Sequence, residues 1–223
     1  MAPPLVTAVV PVYNGAAFLA ECLGSLLAQD YEALEIVVVD DGSTDGSATI
    51  ADGFDGVRVL RRGHTGLGAT RNVGVHAGNG AFIGFCDADD VWKPQKARVQ
   101  AAYLLAHPEV DLVLCRQDTV FEDGAAHPDW LLPDQARGDL DGVSPTSALF
   151  RRAVFDRIRF RTDMESGTDF NLLVQARTAG LGMALLEESL RVRRIHDDNM
   201  TTRVGAAMQP MFQTVREHLR ERR

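Results

Sequence analysis

The sequence contains little cysteine, since its 223 residues include only Cys22, Cys86 and Cys115. No two of them have the Cys-x-x-Cys spacing of zinc or redox motifs, and an odd number cannot complete a disulfide framework. Each stands within a short apolar run, which is typical of a buried core cysteine. We therefore expect three free thiols in the core, with neither disulfides nor a zinc site.

Positive charge is also scarce. The chain has 23 Lys and Arg against 31 Asp and Glu, which leaves a formal net charge of −8. A surface that neutralises nucleic-acid phosphates needs the opposite balance. The sequence therefore predicts no nucleic-acid partner, and any anionic ligand must be held locally, for example through a metal ion.

Long apolar runs and two nucleotide-binding motifs are absent. No stretch reaches the roughly 18 apolar residues that span a bilayer, and the first residues lack the basic region and cleavage site of a signal peptide. The expectation is a cytoplasmic protein with no integral membrane segment. No G-x-G-x-x-G follows the first apolar run and no G-x-x-x-x-G-K-[ST] occurs, which argues against dinucleotide oxidoreductases and P-loop hydrolases.

Regular alternation is present through residues 1–115, where short β-branched runs are followed by Gly- and Asp-rich turns and then by stretches of helical period. This order predicts an α/β fold with a Rossmann-like, open, mostly parallel sheet covered by helices on both faces. Apolar residues at steps of three and four from Phe18 to Leu27 predict the first of these helices. The predicted strands are Val6–Val10, Leu34–Val39, Val57–Leu60, Ala81–Cys86 and Asp111–Cys115.

The remainder of the chain is less regular. Phe121–Gly142 is rich in Asp, Gly and Pro and predicts a long irregular connection. A helix over Asp169–Ala179 and a strand over Met183–Leu186 are predicted next. The length suits one domain. We expect a single domain over 1–223, made of a first half (1–115), a second half (116–203) and a helical tail (204–223) whose apolar stripe is a possible homodimer contact.

Two clusters of acidic residues directly follow predicted strands, one from Asp40 to Asp45 and the other from Asp87 to Asp90. Because parallel strands end at one sheet edge, where open α/β sheets bind ligands, the two clusters should converge. Crowded carboxylates cost free energy unless a cation or a hydrogen-bond donor offsets them. An Asp-x-Asp sequence suits Mg²⁺ or Mn²⁺ carrying a substrate diphosphate, although each cluster alone could simply cap the next helix.

Four motifs occur in a specific order: residues 9–14 (Val-Val-Pro-Val-Tyr-Asn), residues 38–45 (Val-Val-Asp-Asp-Gly-Ser-Thr-Asp), residues 66–74 with Arg71-Asn72, and residues 87–90 (Asp-Ala-Asp-Asp). This series resembles the family 2 glycosyltransferases, which have a GT-A fold, over about residues 5–107. The resemblance implies an inverting enzyme that moves a sugar from a nucleotide-diphosphate sugar to an acceptor hydroxyl. A UDP-sugar is the expected donor. It implies Mn²⁺ or Mg²⁺ as cofactor, a nucleotide-sugar-binding first half and an acceptor-binding, catalytic second half.

The same resemblance assigns the nucleotide-binding residues. Pro11 and Tyr13 border the nucleotide at the end of the first strand. Asp41, with Asp40 beside it, is the carboxylate that contacts the base. Arg71 is the basic residue near the base and the ribose.

The Asp-x-Asp motif is expected to supply the metal site. Asp89 is the expected metal ligand, Asp87 contacts the ribose or supports the metal site, and Ala88 between them borders the nucleotide. His196, in an Arg-x-His element, is expected to bind the metal or to donate to the leaving phosphate. His64 stands where many family members carry Asn, and its role stays open.

The expected catalytic base is Asp169, with Glu165 in reserve, because Thr168 stands where the family commonly has Glu. An Asp at this place also stabilises a helix N-terminus without catalysing anything. Trp92 and Trp130 are candidate sugar or acceptor contacts, because sugars stack on aromatic rings, and Trp92 equally suits a core anchor.

Two other functions and the acceptor stay open. A nucleotidyltransferase also uses metal-binding acids, but it normally needs a basic Gly-rich loop near the first strand, and Pro11–Gly15 has no Lys or Arg. A non-catalytic nucleotide-sugar-binding domain is compatible with Thr168 in place of Glu. The acceptor could be a saccharide, a peptide, a lipid carrier or a small natural product.

Overall fold

Eight strands form one sheet in the computed structural model of the chain, which describes residues 2–122, 144–164, 166–197 and 199. The strands are β1 (Val6–Val12), β2 (Leu34–Asp40), β3 (Val57–Arg61), β4 (Phe82–Phe85), β5 (Val91–Trp92), β6 (Leu112–Phe121), β7 (Leu149–Arg151) and β8 (Met183–Ile195). The helices are α1 (Leu19–Leu27), α2 (Ser47–Asp52), α3 (Leu67–Ala77), α4 (Lys96–Ala106) and α5 (Thr168–Thr178).

The strand order is β3-β2-β1-β4-β7-β6-β8-β5. β1 pairs in parallel with β2 and β4, β2 with β3, and β6 with β8, whereas β7 and β5 are antiparallel to their neighbours. The predicted α/β fold with a mostly parallel sheet is confirmed. Val6 pairs with both Leu34 and Phe82, so β1, β2 and β4 run in register and end at the same edge of the sheet.

Helices cover both faces of this sheet, which explains the nearly unbroken apolar runs. Val9 of β1 belongs to a buried cluster with Val75 of α3 and Leu172 of α5. Val10, the next residue, points to the other face and belongs to a cluster with Leu23 of α1. Because successive side chains alternate between faces, a strand buried on both faces needs apolar residues at every position.

Helix α3 packs unusually close to β1. A Cβ atom on Gly74 would lie 2.1 Å from Cγ1 of Val9, a distance at which two carbons overlap. Only glycine permits this approach. The close packing fixes α3 against the middle of β1, and Arg71 lies about one turn before Gly74 in the same helix.

Strands β6 and β8 extend well beyond their predicted ends. The sequence predicts strands to Cys115 and Leu186, but the two strands stay paired as far as Phe121 and Ile195, through a register irregularity at Arg116. This parallel pair carries the chain from the core to the edge where β4 ends. The short β5 then pairs with β8 next to the acidic turn after β4.

The three cysteines are buried and free, as predicted. Among the described residues, no helix combines the length and the apolar character needed to cross a bilayer. Trp130, Glu165, most of the irregular connection over 121–142 and the tail over 204–223, including its expected dimer contact, lie outside the described residues.

Candidate functional site

Three carboxylates meet directly after β4. One oxygen from each of Asp87, Asp89 and Asp90 lies within 4.8 Å of the others. Burial raises the pKa of Asp87, while Arg71 opposes this shift and Asp169 adds to it. Carboxylates held this close repel one another, so the donor set fits a hard divalent cation such as Mg²⁺ or Mn²⁺.

Asp89 and His196, the two residues predicted to hold the metal, lie side by side. Nε2 of His196 is 3.1 Å from Oδ2 of Asp89, and Nδ2 of Asn199 donates a hydrogen bond of 2.8 Å to the same oxygen. The amide oxygen of Asn199 accepts from the backbone N–H of His196 at 2.6 Å. Asn199 therefore orients both residues, and sequence reasoning gave it no role.

Strand β8 holds the acidic turn from the other side. Asp90, nearly inaccessible, lies 3.1 Å from Nη1 of Arg191 and accepts a hydrogen bond of 3.1 Å from the backbone N–H of Arg194. Burial raises the pKa of Asp90 to about 7, although Arg191 opposes the shift. The side chain of Arg194 pairs with Glu21 of α1 at 2.5 Å and with Glu122 after β6 at 2.9 Å. The arginines of β8 thus link three elements around the acids, a role that their clustering near His196 hints at in the sequence.

Arg71 differs from its prediction. Its side chain is fully buried, so it cannot touch a base or a ribose. Nη2 lies 2.7 Å from Oδ1 of Asp87, and Nη1 pairs with Oδ1 of Asp169. Burial lowers the pKa of the guanidinium, but the two carboxylates outweigh it and raise that pKa overall. The guanidinium carbon Cζ of Arg71 also lies 5.2 Å from the centre of the Phe160 ring. Arg71 therefore joins the acidic turn to the predicted catalytic base.

Asp169 lies in the first turn of α5, where its side chain is 30% exposed. Oδ1 faces Arg71, and no hydrogen bond to Oδ2 is found within the described parts of the chain. Thr168 beside it is buried and contacts α3 near Gly68, so the residue that replaces the expected Glu packs rather than reacts. A carboxylate fixed through one oxygen and open at the other is the arrangement that a general base needs.

The segment before α5 is anchored to α3. Asn72 accepts from the backbone N–H of Phe160 at 3.1 Å and donates to its carbonyl oxygen at 2.8 Å. A Cβ on Gly68 would lie 2.1 Å from the carbonyl oxygen of Arg161, so glycine allows the two backbones to touch. The Arg71-Asn72 motif therefore has two separate structural tasks: Arg71 pairs with Asp169 of α5, and Asn72 holds the segment before α5.

At the ends of β1 and β2 lies a second group of predicted residues. Tyr13 is 52% exposed, and its ring centre is 4.1 Å from that of His64. Asp41 is buried: Oδ1 accepts from the N–H and the hydroxyl of Thr65 at 2.8 and 2.9 Å, and Oδ2 accepts from the N–H of Gly66 at 2.8 Å. Burial acts to raise the pKa of Asp41, but these hydrogen bonds lower it below the usual value.

Three further predicted nucleotide contacts take less exposed positions. Asp40 is almost inaccessible, and its Oδ1 accepts from the backbone N–H of Ser43 at 3.1 Å, which closes the turn after β2. Pro11 is buried within β1. Ala88 is partly exposed and packs against Gly15. Of these, only Ala88 borders open space next to the acidic turn.

Trp92 lies in the core with 1% of its surface exposed. Its Nε1 donates to the carbonyl oxygen of Phe85 at 3.3 Å, and Nζ of Lys96 lies 4.4 Å from the ring centre. The ring also fills the space beside Gly84. No face is left for a sugar, so the predicted sugar contact is corrected to a core anchor, the other role considered for this residue.

Comparison with solved structures places the fold. TarS from S. aureus, solved as residues 1–349 in complex with UDP-GlcNAc, superposes with a TM-score of 0.72 at 22% identity over 87% of this chain and 60% of that chain. The mannosyltransferase PcManGT from Pyrobaculum calidifontis, solved with GDP-Man and Mn²⁺, gives 0.69 at 23% identity over 96% of this chain and 64% of that chain. The GT-A fold implied by the sequence is confirmed.

Sequence comparison agrees with the fold. The chain is 42% identical over 94 residues to glycosyltransferase GlyG of Streptococcus pneumoniae serotype 4, which covers 40% of this chain and 31% of GlyG. It thus spans about a third of the length of this relative. Residues 7–159 match the profile of glycosyl transferase family 2. The chain belongs to glycosyl transferase family 2.

Proposed function

We propose that this chain transfers a sugar from a nucleotide-diphosphate sugar, with UDP as the nucleotide, to an acceptor hydroxyl with inversion at the anomeric carbon. The observation that carries the proposal is the buried Arg71, which joins Asp87 of the acidic turn to Asp169. One guanidinium thereby fixes a metal-binding motif and a candidate base relative to each other. The complexes of TarS with UDP-GlcNAc and of PcManGT with GDP-Man support a donor of this class.

A divalent metal fits the acidic turn, as the three convergent carboxylates argue. Asp89 would hold Mn²⁺ or Mg²⁺, with Asp87 and His196 beside it. Bound there, the metal would neutralise the charge that develops on the leaving diphosphate. The Mn²⁺ in the PcManGT complex supports this assignment.

Asp169 serves as the general base. As the acceptor oxygen bonds to the anomeric carbon, the bond from that carbon to the diphosphate breaks, and the hydroxyl proton passes to Asp169. The nucleoside diphosphate leaves on the opposite face, which inverts the configuration. Arg71 holds Oδ1 of Asp169, so Oδ2 is the atom that receives the proton.

Calorimetric titration with UDP, GDP and TDP, with and without Mn²⁺, tests the donor site, and Asp169→Asn tests the base. We expect UDP to bind in a metal-dependent way to the wild type and to Asp169→Asn alike. Turnover of Asp169→Asn should fall by about 10²- to 10⁴-fold, the usual contribution of a general base. Asp163→Asn is the matched control, because Asp163 is an exposed acid paired with Arg161.

Three results would contradict the proposal in different ways. Absence of binding to every diphosphate would remove the donor site altogether. Metal-dependent binding combined with equal behaviour of wild type and Asp169→Asn in every assay would indicate the non-catalytic nucleotide-sugar-binding domain instead. Release of pyrophosphate from a nucleoside triphosphate would indicate a nucleotidyltransferase.

A further inference from the structure

A groove lies between helix α3 and β3, the edge strand of the sheet. This α3 groove has a volume of about 620 Å³ and is lined by eight residues, none of them acidic. Its basic side chains are Arg58, Arg62 and His76, and Leu60 and Val73 add aliphatic surface. A recess lined by one sign of charge concentrates ions of the other sign. The α3 groove is therefore a local attraction for anions on a chain whose net charge is −8.

Two arginines of the α3 groove are available to a ligand. Arg58 is exposed, and its Nη1 donates to the carbonyl oxygen of Ala77 at 2.9 Å, which holds the side chain at the end of α3. Arg62 is exposed and directly follows β3. Neither arginine has a carboxylate partner in the described parts of the chain. At about 3.3 Å a residue their Cα atoms are about 13 Å apart, so they suit two different parts of one ligand.

One carboxylate, that of Glu35 in β2, lies at the rim of the α3 groove. It accepts from the hydroxyl of Thr7 at 2.6 Å, from the backbone N–H of Asn79 and from the N–H of Gly80 at 3.0 Å. Burial acts to raise the pKa of Glu35, but these hydrogen bonds lower it overall. Glu35 is thus satisfied within the fold and leaves both arginines to a ligand.

A second cavity, of about 450 Å³, adjoins the α3 groove and is lined by residues 159–163. Asn72, which lines the α3 groove, exchanges two hydrogen bonds with the backbone of Phe160, which lines the 159–163 cavity. The two recesses therefore share a boundary.

The 159–163 cavity adds a third available arginine. Arg159 is exposed, whereas Ile158 and Phe160 on either side of it are buried. Its guanidinium has no carboxylate partner among the residues that the structure describes, in contrast to Arg161, which pairs with Asp163. Arg159 therefore extends the positive charge of the α3 groove.

The 159–163 cavity also lies close to the proposed base. A Cβ on Gly68 would be 2.1 Å from the carbonyl oxygen of Arg161 and 3.5 Å from Cγ2 of Thr168. Thr168 directly precedes Asp169 in α5. The contacts therefore run from Asp169, through the 159–163 cavity, to the α3 groove.

We propose that the 159–163 cavity and the α3 groove together bind the acceptor, and that this acceptor is a saccharide chain that carries carboxylates. Arg159, Arg58 and Arg62 pair with successive acidic sugars, because a guanidinium matches a carboxylate through two parallel hydrogen bonds. This inference rests on the proposed function and makes its acceptor more specific.

The shape of the site favours a saccharide over the other anions. The side chains of Arg58, Leu60 and Arg62 alternate to one face of β3, so a ligand in the α3 groove meets side chains rather than the free edge of the strand. A peptide would gain most from pairing with that edge. A recess also admits a chain, whereas the plane of a bilayer needs a protruding surface.

Calorimetry with a hexamer of galacturonic acid tests the inference at about 0.15 M salt, where charges beyond roughly 8 Å are screened. The fully methyl-esterified hexamer is the neutral probe of the same length. We expect the wild type to bind the acidic hexamer at least tenfold more tightly than the ester, with an affinity that falls as salt is added.

The variant Arg58→Gln/Arg62→Gln should weaken binding of the acidic hexamer about tenfold, the sum of two exposed ion pairs. Arg61→Gln is the matched control, because Arg61 lies between the two positions, points to the other face of β3 and pairs with Asp52. It should change the affinity less than twofold.

Arg159→Gln tests the second recess. We expect it to weaken binding of the acidic hexamer about threefold, since one exposed ion pair is lost. Arg98→Gln is its control, because Arg98 is exposed on α4 and pairs with Asp30. A thermal melt of each variant shows that the fold is unchanged.

The outcomes separate this inference from the proposed function. Equal binding of the acidic hexamer and its ester, or an equal loss in Arg61→Gln, overturns the inference. Tighter binding of hexaglutamate than of the acidic hexamer overturns the saccharide in favour of an acidic peptide, and tighter binding to phosphatidylglycerol vesicles overturns it in favour of a membrane. If the acidic hexamer binds as expected and no nucleoside diphosphate does, the groove is confirmed and the proposed donor site fails.

Discussion

Two acidic turns end neighbouring strands of the same sheet, and their carboxylates have opposite environments. In the turn after β2, Asp41 is surrounded by N–H and hydroxyl donors, and its pKa is lowered overall. In the turn after β4, burial raises the pKa values of Asp87 and Asp90, and the neighbouring acids add to the rise. The first turn is complete without a ligand, whereas the second fits a cation. Similar composition therefore forms a turn held by internal hydrogen bonds in one place and a candidate cation site in the other.

The largest expected effect is that of Arg71→Met. This change leaves Asp87 and Asp169 without their buried counterion, and breaking a buried ion pair costs about 3–5 kcal/mol. Urea unfolding should show that loss. Adding Asp169→Asn to Arg71→Met should recover part of the stability, because one uncompensated charge is removed. Equal stability of Arg71→Met and wild type would contradict the bridging role of Arg71.

Asp89→Asn tests the second turn as a cation site. We expect the affinity for Mn²⁺, followed by calorimetry or by the paramagnetic resonance of the free ion, to fall by a factor on the order of 100, since a neutral amide is a much weaker ligand than a carboxylate. The unfolding free energy should stay the same or rise, because repulsion among the three acids falls. Asp45→Asn, in the first turn, is the control and should leave Mn²⁺ binding intact.

Asp41→Asn tests the first turn as a structural element. The amide keeps the shape but loses the charge that four donors face, so we expect a loss of about 2–3 kcal/mol in unfolding free energy. Urea unfolding measures it. A variant as stable as the wild type, with nucleotide binding abolished, would show instead that Asp41 contacts the ligand directly.

The smallest effect is a dependence on acid pH. The pKa of Asp41 is lower in the folded chain than its usual value of 3.8, so its contribution to stability is complete above that value and is lost as the pH falls through the folded pKa. The unfolding free energy, measured with urea between pH 5 and about pH 2, should therefore change less with pH in Asp41→Asn than in the wild type. Identical pH profiles would mean that Asp41 titrates alike in both states.

The fold of the first half was predictable because its strands are apolar on both faces. Val6–Val12 and Leu34–Asp40 agree with their predicted strands to within two residues at each end. The extensions of β6 and β8 were not predictable from the sequence, because their polar side chains pair with one another. Arg191 donates to Gln117 at 2.9 Å, and Ser189 donates to Asp118 at 2.7 Å. Hydropathy carries no signal for a strand whose partner satisfies its polar groups.

The site was predictable to the extent that acids mark strand ends. Asp89 and His196 were predicted as a pair and do lie together, 107 residues apart in sequence. The burial of Arg71 was not predictable, because it depends on two carboxylates that the chain supplies from different elements. Trp92 was ambiguous for a similar reason, since a sequence does not state which side of a strand the rest of the fold will cover.

His196 and Asn199, which contact Asp89 in the turn after β4, directly follow the long strand β8. This position has a thermodynamic consequence. Asp89 meets His196 and Asn199 only when β8 has docked, so the affinity of the turn for a ligand and the attachment of β8 are linked quantities. A ligand that binds Asp89 and His196 together links two parts of the chain that are far apart in sequence. Hydrogen exchange in β8 should slow in proportion to the occupancy of that site, which makes the strand a reporter of the ligand.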